Sequence, residues 1–531
     1  MSQDFPSSSA ARRHTTIDRL PPELITLIFS CFYPISYRDL RDGCENWPFD
    51  IRFPTLLLGV CRKWRQILSQ MPLMWRKILF EMYQGSKSTW TDRVPERLKW
   101  QLSMTGTISL DIAWYADEST DQSIIVNMYA LITNYAPINR WRSLRYNHAN
   151  PFPRIRDLDI APMGEGFDLL EFLYTEGGYL ESTLARSLDR SALCLREWHI
   201  SDWYGSEADF DEEEQGKYGN TILLPDLQAR ITTFVNEGWD DRHLRGGLKN
   251  VTHLTGSIQE YLRLLPSLTH ARLFESNLEE LRNFQMVFIN LVSLKLHLER
   301  EWEPEDMQII HLPKLQHLMI SWDSGDEKAP IAWMVMPLLR RLEFSFNLHF
   351  IPDNCMDIGL WNFFHAPKES HYQSDPSTLV IDIQLKLDVL ITVLHHSLST
   401  RELTITIDYH ERAEDETVAS LFTLGMEDGR FVESAEGVYC PHLTSLCIRL
   451  PWERNDLGRW VGCAWKIVKA RNHDMFEGVR VQWSDSSESV VLKEHVRALL
   501  NWNDFQTDAF VSPDLVDACV GASSYWGLDR L

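Results

Sequence analysis

Apolar residues in the second half of the chain recur in a fixed spacing. Leu291, Leu294 and Leu296 are followed by Leu315, Leu318 and Ile320, then by Leu339, Leu342 and Phe344; Leu268, Ala271 and Leu273 precede them. The first positions of these sets step by 23, 24 and 24 residues. Looser copies stand at Ile155, Leu158 and Ile160, at Leu195, Trp198 and Ile200, and at Leu443, Leu446 and Ile448, with a partial one ending at Leu403 and Ile405. A constant step of this size is the signature of stacked structural repeats. Proline lies two residues ahead of the first apolar position at Pro153, Pro266, Pro313, Pro337 and Pro441. Proline is tolerated where a strand begins and no ladder donor is needed, so it is expected to mark each strand start. The pattern predicts parallel strands near 291–297, 315–321 and 339–345. No single repeat can bury its own apolar side, so the strands must stack.

The first half opens differently. Residues 1–16 are polar and Ser-rich and are expected to form a flexible tail. In IDRLPPELITLIFSCFYP, Pro21 and Pro22 suit the opening turn of a helix and Glu23 its positive end. Leu24, Leu27, Ile28 and Cys31 recur at helical spacing, and Pro34 stops the run. A second helix is predicted with Leu57, Val60, Cys61, Trp64, Ile67 and Leu68 on one face. Two short helices make a small core, so they should also bury surface against something else. Residues 385–394 and the run Trp460, Val461, Trp465, Ile467 also have helical spacing, the latter as a closing helix.

The chain has 531 residues and a formal net charge of −23, distributed unevenly: residues 1–85 sum to +3 and the remainder to −26. So acidic a body repels phosphate backbones and anionic membrane surfaces, which argues against nucleic-acid and membrane partners. It suits either solubility or a basic partner. Nine scattered cysteines without C-x-x-C spacing fit reduced thiols of the cytosol or nucleus. No secretory signal and no apolar run of spanning length is present.

The N-terminal block resembles the F-box. The residues that carry the likeness are Leu20-Pro21-Pro22-Glu23, Ile28-Phe29, Val60-Cys61-Arg62-Lys63-Trp64-Arg65 and Leu73-Met74-Trp75. The Pro-x-Leu repeats behind it resemble the irregular leucine-rich repeats of the large F-box families of mushroom-forming fungi. Residues 33–55 depart from the family pattern as an insertion, and the asparagine that usually follows each repeat strand is absent. The resemblance implies an α/β fold class, a small helical F-box module followed by an irregular leucine-rich-repeat solenoid. Its parts would be an F-box-like domain at 17–85, a connecting or capping region at 86–139, a repeat array at 140–455 and a C-terminal cap at 456–531. It implies a substrate-recognition subunit of an SCF-type ubiquitin ligase, cytoplasmic or nuclear. Its partners would be the Skp-type adaptor, the cullin and a protein substrate of unknown identity. The adaptor-binding residues would be Leu20, Pro21, Glu23, Ile28, Val60 and Trp64. Val60 and Trp64 could equally serve internal packing.

If the repeats form a curved stack, residues between the buried positions point to its concave face: Asp159, His199, Arg272, Lys295, Met319, Glu343, Thr404 and Cys447, with Phe274, His297 and Ser345 one step further out. That mixed surface fits protein recognition. No nucleophile elbow, P-loop, dinucleotide fingerprint or zincin motif occurs, so no enzyme, cofactor or metal is expected. His395-His396 lacks the spaced partners of a metal site. The acidic stretch Glu207, Asp209, Asp211 and Glu212–Glu214 lacks EF-hand spacing and is expected to be an exposed loop at 205–219. The competing reading is a repeat scaffold that binds a partner without any role in a ligase.

Overall fold

The computed structural model of the chain describes residues 20–32, 57–82, 93–116, 122–147, 166–176, 182–201, 225–237, 248–257, 265–274, 286–298, 309–322, 334–346, 376–382, 397–406, 442–450, 478–483 and 489–492, with isolated positions between them. The tail 1–16, the insertion 33–55, Asp159 and its repeat copy, the acidic loop 205–219, His395-His396 and Trp460, Val461 and Trp465 lie outside the described residues. The chain is α/β and divides into two units, residues 1–249 and 250–531.

Unit 1 begins with α1 (Pro22–Phe32) and α2 (Arg62–Ser69), followed by a 3-10 turn, Pro72–Trp75. Ile25, Phe29, Trp64, Ile67, Leu68, Met74 and Trp75 form their core. Phe29 meets Trp64 edge-on at 5.0 Å, and Trp75 Nε1 donates to Leu68 O at 2.9 Å. The buried side of α1 therefore runs through Ile25 and Phe29, while Leu24 (46% exposed) and Leu27 (60%) face away, which corrects the expected face. The second helix also starts later than its spacing predicts. Gly59 and Val60 form a turn, and Cys61, extended at φ −159°, caps α2 by accepting the Trp64 N–H on Sγ at 3.4 Å. Val60 is consequently outside the helix and 55% exposed.

Six strands follow in parallel register: β1 (Lys77–Met82), β2 (Leu110–Ala116), β3 (Trp141–Asn147), β4 (Phe172–Glu176), β5 (Glu197–Ser201) and β6 (Thr233–Glu237). Helices α3 (Arg93–Met104), α4 (Gln122–Tyr135) and α5 (Ser182–Ser191) connect them. Leu98 and Leu102 on α3 and Met128 and Ile132 on α4 are buried at helical spacing, and Leu188 on α5 is buried as well. After α3 the chain turns at Gly106, whose φ of +54° suits a residue without Cβ.

Unit 2 stacks β7 (His253–Ser257), β8 (His270–Phe274), β9 (Ser293–Leu298), β11 (His317–Trp322), β13 (Arg341–Phe346), β14 (Thr378–Asp382), β15 (Glu402–Thr406), β18 (Ser445–Leu450) and β19 (Gly478–Trp483) in one parallel order. An antiparallel strand, β20 (Ser489–Leu492), pairs with the last. Two small pairs lie apart, β10 (Ile310–His311) with β12 (Met334–Val335) and β16 (Met426–Glu427) with β17 (Arg430–Phe431). The core row Leu254, Ala271, Leu294, Leu318, Leu342, Leu379, Leu403, Leu446 and Val479 is in register across nine strands. Leu390, Val393 and Leu394 are helical and buried, as are Ala464 and Ile467.

The repeated prolines are explained by turns, not by strand starts. Pro266, Pro313 and Pro337 each take the second place of a four-residue turn closed by Leu268 N to Leu265 O (3.3 Å), Leu315 N to Leu312 O (3.2 Å) and Leu339 N to Met336 O (3.1 Å). Proline presets φ for that place, and the strand begins four residues after it. The same bond recurs without proline at Phe288–Leu291, Ser397–Thr400 and, in unit 1, at Phe167–Leu170, Ala192–Leu195 and Gln228–Ile231. Hydroxyls tie successive repeats together. Thr232, Thr269, Ser377 and Thr444, each just before its strand, donate to Arg196 O, Thr252 O, Arg340 O and Arg401 O of the preceding repeat.

Candidate interaction surfaces

The helical module presents one apolar surface. Leu20 is half-buried, Pro21 and Glu23 are exposed, and Leu24 and Leu27 continue the line along α1 at helical spacing. Lys63 Nζ donates to Leu20 O at 2.6 Å and ties this end of α1 to α2. Ile28 is half-buried against the module core. Trp64 is 8% exposed and belongs to that core, so of the two residues left open between packing and contact, Trp64 packs and Val60 is exposed. The Trp64 indole N–H has no acceptor among the described residues. Leu24 and Leu27 were not among the expected contact residues; only the phase of α1, fixed by Phe29 against Trp64, separates them from the buried side.

The second surface is the outward face of the unit 2 ladder. Register aligns Thr255, Arg272, Lys295, Met319, Glu343, Val380, Thr404, Cys447 and Arg480 in one row. Arg272, Lys295, Met319, Glu343, Thr404 and Cys447 were expected there, and the structure brings them side by side. Arg272 and Lys295 are exposed; Met319, Glu343, Thr404 and Cys447 are half-buried. Phe274, His297 and Ser345 stand one step further along their strands. Arg272 lies over the Phe274 ring at 5.1 Å, and His297 Nδ1 is hydrogen-bonded to Ser321 Oγ at 2.9 Å.

A third row was missed. His253, His270, Ser293, His317, Arg341, Thr378 and Glu402 precede that row by two residues and share its face. Strict alternation carried one step back from Leu318 would have reached His317 and, by register, the others. His253 and His270 stack at 4.3 Å with 7° between planes. Burial first, and then the charge of His317, hold the His270 pKa below its ordinary value.

In unit 1 the equivalent face is closed. Lys77, Asp111, Ser143, Arg145, Phe172, Tyr174, Glu197 and His199 are all buried, and the His199 ring meets Phe172 at 4.7 Å. Asp111 accepts a bidentate pair from Arg142 at 2.9 and 3.1 Å and a bond from Ser143 Oγ at 3.0 Å, with Arg76 Nε at 3.6 Å. Arg142 and Ser143 thus satisfy the Asp111 carboxylate within the sheet. Among the described residues no group of three or more His, Cys, Asp or Glu gathers as a metal site. No described helix is long and apolar enough to cross a membrane. Compared with known proteins, the chain matches no family model and no curated protein.

Proposed function

We propose that the chain is a substrate-recognition subunit of an SCF-type ubiquitin ligase, with an F-box module at its N-terminus and an irregular leucine-rich-repeat solenoid behind it. On this reading the module binds a Skp-type adaptor and through it the cullin, the open face of the ladder holds a protein substrate, and the protein works in the cytoplasm or nucleus. The observation that carries the reading is the exposed apolar pair Leu24 and Leu27, which continues from Leu20 and Pro21 along α1, with Val60 also exposed, on a module that bears the Val-Cys-Arg-Lys-Trp signature. Isolated exposed leucines are common, but a line of them on a module this small suits burial against a partner.

The test is capture of the Skp-type adaptor by the full chain. Interface energy concentrates in a few anchors worth about 2 kcal/mol or more each. L24D/L27D should therefore weaken adaptor capture by at least about a hundredfold, at about 1.4 kcal/mol per decade. Both residues face away from the core, so the circular dichroism of the variant should match wild type. If wild type captures no adaptor from its own cell type, the ligase reading fails and the repeat-scaffold reading replaces it.

A further inference from the structure

The outward face of β7, β8, β9 and β11 has an unusual charge pattern. Its positions are His253, Thr255, Ser257, His270, Arg272, Phe274, Ser293, Lys295, His297, His317, Met319 and Ser321. Not one is a carboxylate, in a chain whose formal net charge is −23. Arg272 and Lys295 are register partners on adjacent strands, His270 and His317 lie in the neighbouring row, and His253, Arg272, Lys295 and His317 are exposed. Further along the ladder the pattern changes: Arg341 is neutralised by Glu343 at 3.0 Å, and Glu402 accepts from Thr378 at 3.2 Å. Arg480 returns a cation to the row on β19, but on β7, β8, β9 and β11 the face holds Arg272 and Lys295 with no carboxylate among its positions.

We propose that this face docks an Asp/Glu-rich segment of a protein partner, lying across β7–β11. The proposal rests on the substrate-binding role given above to the open ladder face and names the chemistry of what it takes. Charge complementarity selects an acidic partner, because a positive field on an otherwise acidic protein steers anions to one place. The spacing selects carboxylates over a single phosphate. Adjacent strands lie about 4.8 Å apart and successive outward positions about 7 Å apart along a strand, so the Arg272–Lys295 pair and the histidine row beside it spread over an extended area. A single phosphate would engage only one part of that area, and Arg272 is held over the Phe274 ring. Phe274 and Met319 add apolar surface between the charges, suited to a segment that mixes acidic and apolar residues.

The experiment titrates the full chain into a fluorescein-labelled peptide alternating Asp and Glu with Ala and reads anisotropy. Binding should be saturable, should weaken between about 0.05 M and about 0.3 M salt, and should disappear for the peptide with Asn and Gln in place of Asp and Glu. R272E/K295E should lower affinity at least about tenfold. R190E/K249E, with the same charge change at exposed positions of unit 1, should bind as wild type. Adaptor capture read on the same samples separates the two readings: R272E/K295E should still capture adaptor, and acidic-peptide binding without adaptor capture would sink the ligase reading alone. The docking proposal is overturned if wild type shows no saturable binding, if both double variants lose affinity equally, or if a phosphoserine peptide binds more than about tenfold tighter than the carboxylate one.

Discussion

Two parallel ladders built on the same turn treat their outward faces in opposite ways. In unit 1 the row Lys77, Asp111, Ser143, Phe172 and Glu197 is buried, and so is Arg145, held 5.3 Å from both the Phe172 and Tyr174 rings. In unit 2 the corresponding rows hold exposed Arg272, Lys295 and His317. A parallel strand covered on both faces must satisfy its charges internally, which is what the Asp111, Arg142 and Arg76 cluster does. A strand open on one face can leave its charges to solvent or to a partner. The same fold element is thus structural in one unit and available for recognition in the other.

Removing one carboxylate from each face gives the sharpest contrast. Asp111→Ala removes the carboxylate that two guanidinium groups, each about 15% exposed, face. Breaking a buried pair from one side costs about 3–5 kcal/mol, and the residual exposure here favours the lower end. Glu343→Ala breaks a pair whose arginine is 47% exposed, and should cost less than about 1 kcal/mol. Hydrogen exchange of the β2–β3 and β11–β13 amides in the full chain reads each unit separately. Equal loss of protection in the two variants would erase the distinction.

The turns offer a smaller contrast. A Cβ on Gly166 would meet Ser191 Cβ at 2.4 Å, and Ser191 Oγ accepts the Phe167 N–H at 2.9 Å, so α5 clamps the turn that precedes β4. Gly166→Ala should cost about 1–3 kcal/mol by overpacking. In unit 2 Pro313 is exposed at its turn. Pro313→Ala loses chiefly the preset φ, about 0.4–1 kcal/mol. Urea denaturation with an unchanged m-value measures both. A larger loss from Pro313→Ala than from Gly166→Ala would show that the turn in unit 2 is the more constrained.

This contrast also explains what the sequence reveals. The L-x-x-L-x-L spacing stands out for β8, β9, β11 and β13 because only alternate positions there are buried and the repeats keep a constant step. It misses β1, β2, β3, β4 and β6 in unit 1 and β7, β14 and β19 in unit 2. In unit 1 the outward positions include buried Ala113, Phe172, Tyr174 and Val235, so alternation is lost, and helices of differing length separate the strands. The proline signal was real but belonged to the turn, two residues before the first apolar position and four before the strand. In the helical module the spacing of Leu24, Leu27 and Ile28 identified a helix but not its phase, because α1 has apolar residues on more than one side. Packing of Phe29 on Trp64 decides which side is buried.

The smallest expected effect concerns pH and the open face. His270 is flanked by the stacked His253, by Thr269 Oγ1 at 2.9 Å from Nδ1, by Ser293 on β9 and, one strand on, by His317. Thr269 gives its own proton to Thr252 O at 3.1 Å, which leaves His270 Nε2 to take up the extra proton. Because burial and His317 lower its pKa, the folded chain binds that proton less readily than the unfolded chain, whose histidines titrate near 6.5. The unfolded state therefore holds more protons as pH falls through about 6.5, and this contribution to stability decreases from neutral pH until the lowered folded value is passed. The Tm of wild type should fall more between about pH 7.5 and 5.5 than that of His270→Gln, and the difference between the two isolates this histidine from the other acid-sensitive groups. Bound Asp/Glu peptide should shrink the difference, since a ligand that favours the charged imidazole must by linkage raise its pKa. Parallel Tm profiles with and without peptide would place His270 outside the docking face and narrow it to Arg272 and Lys295.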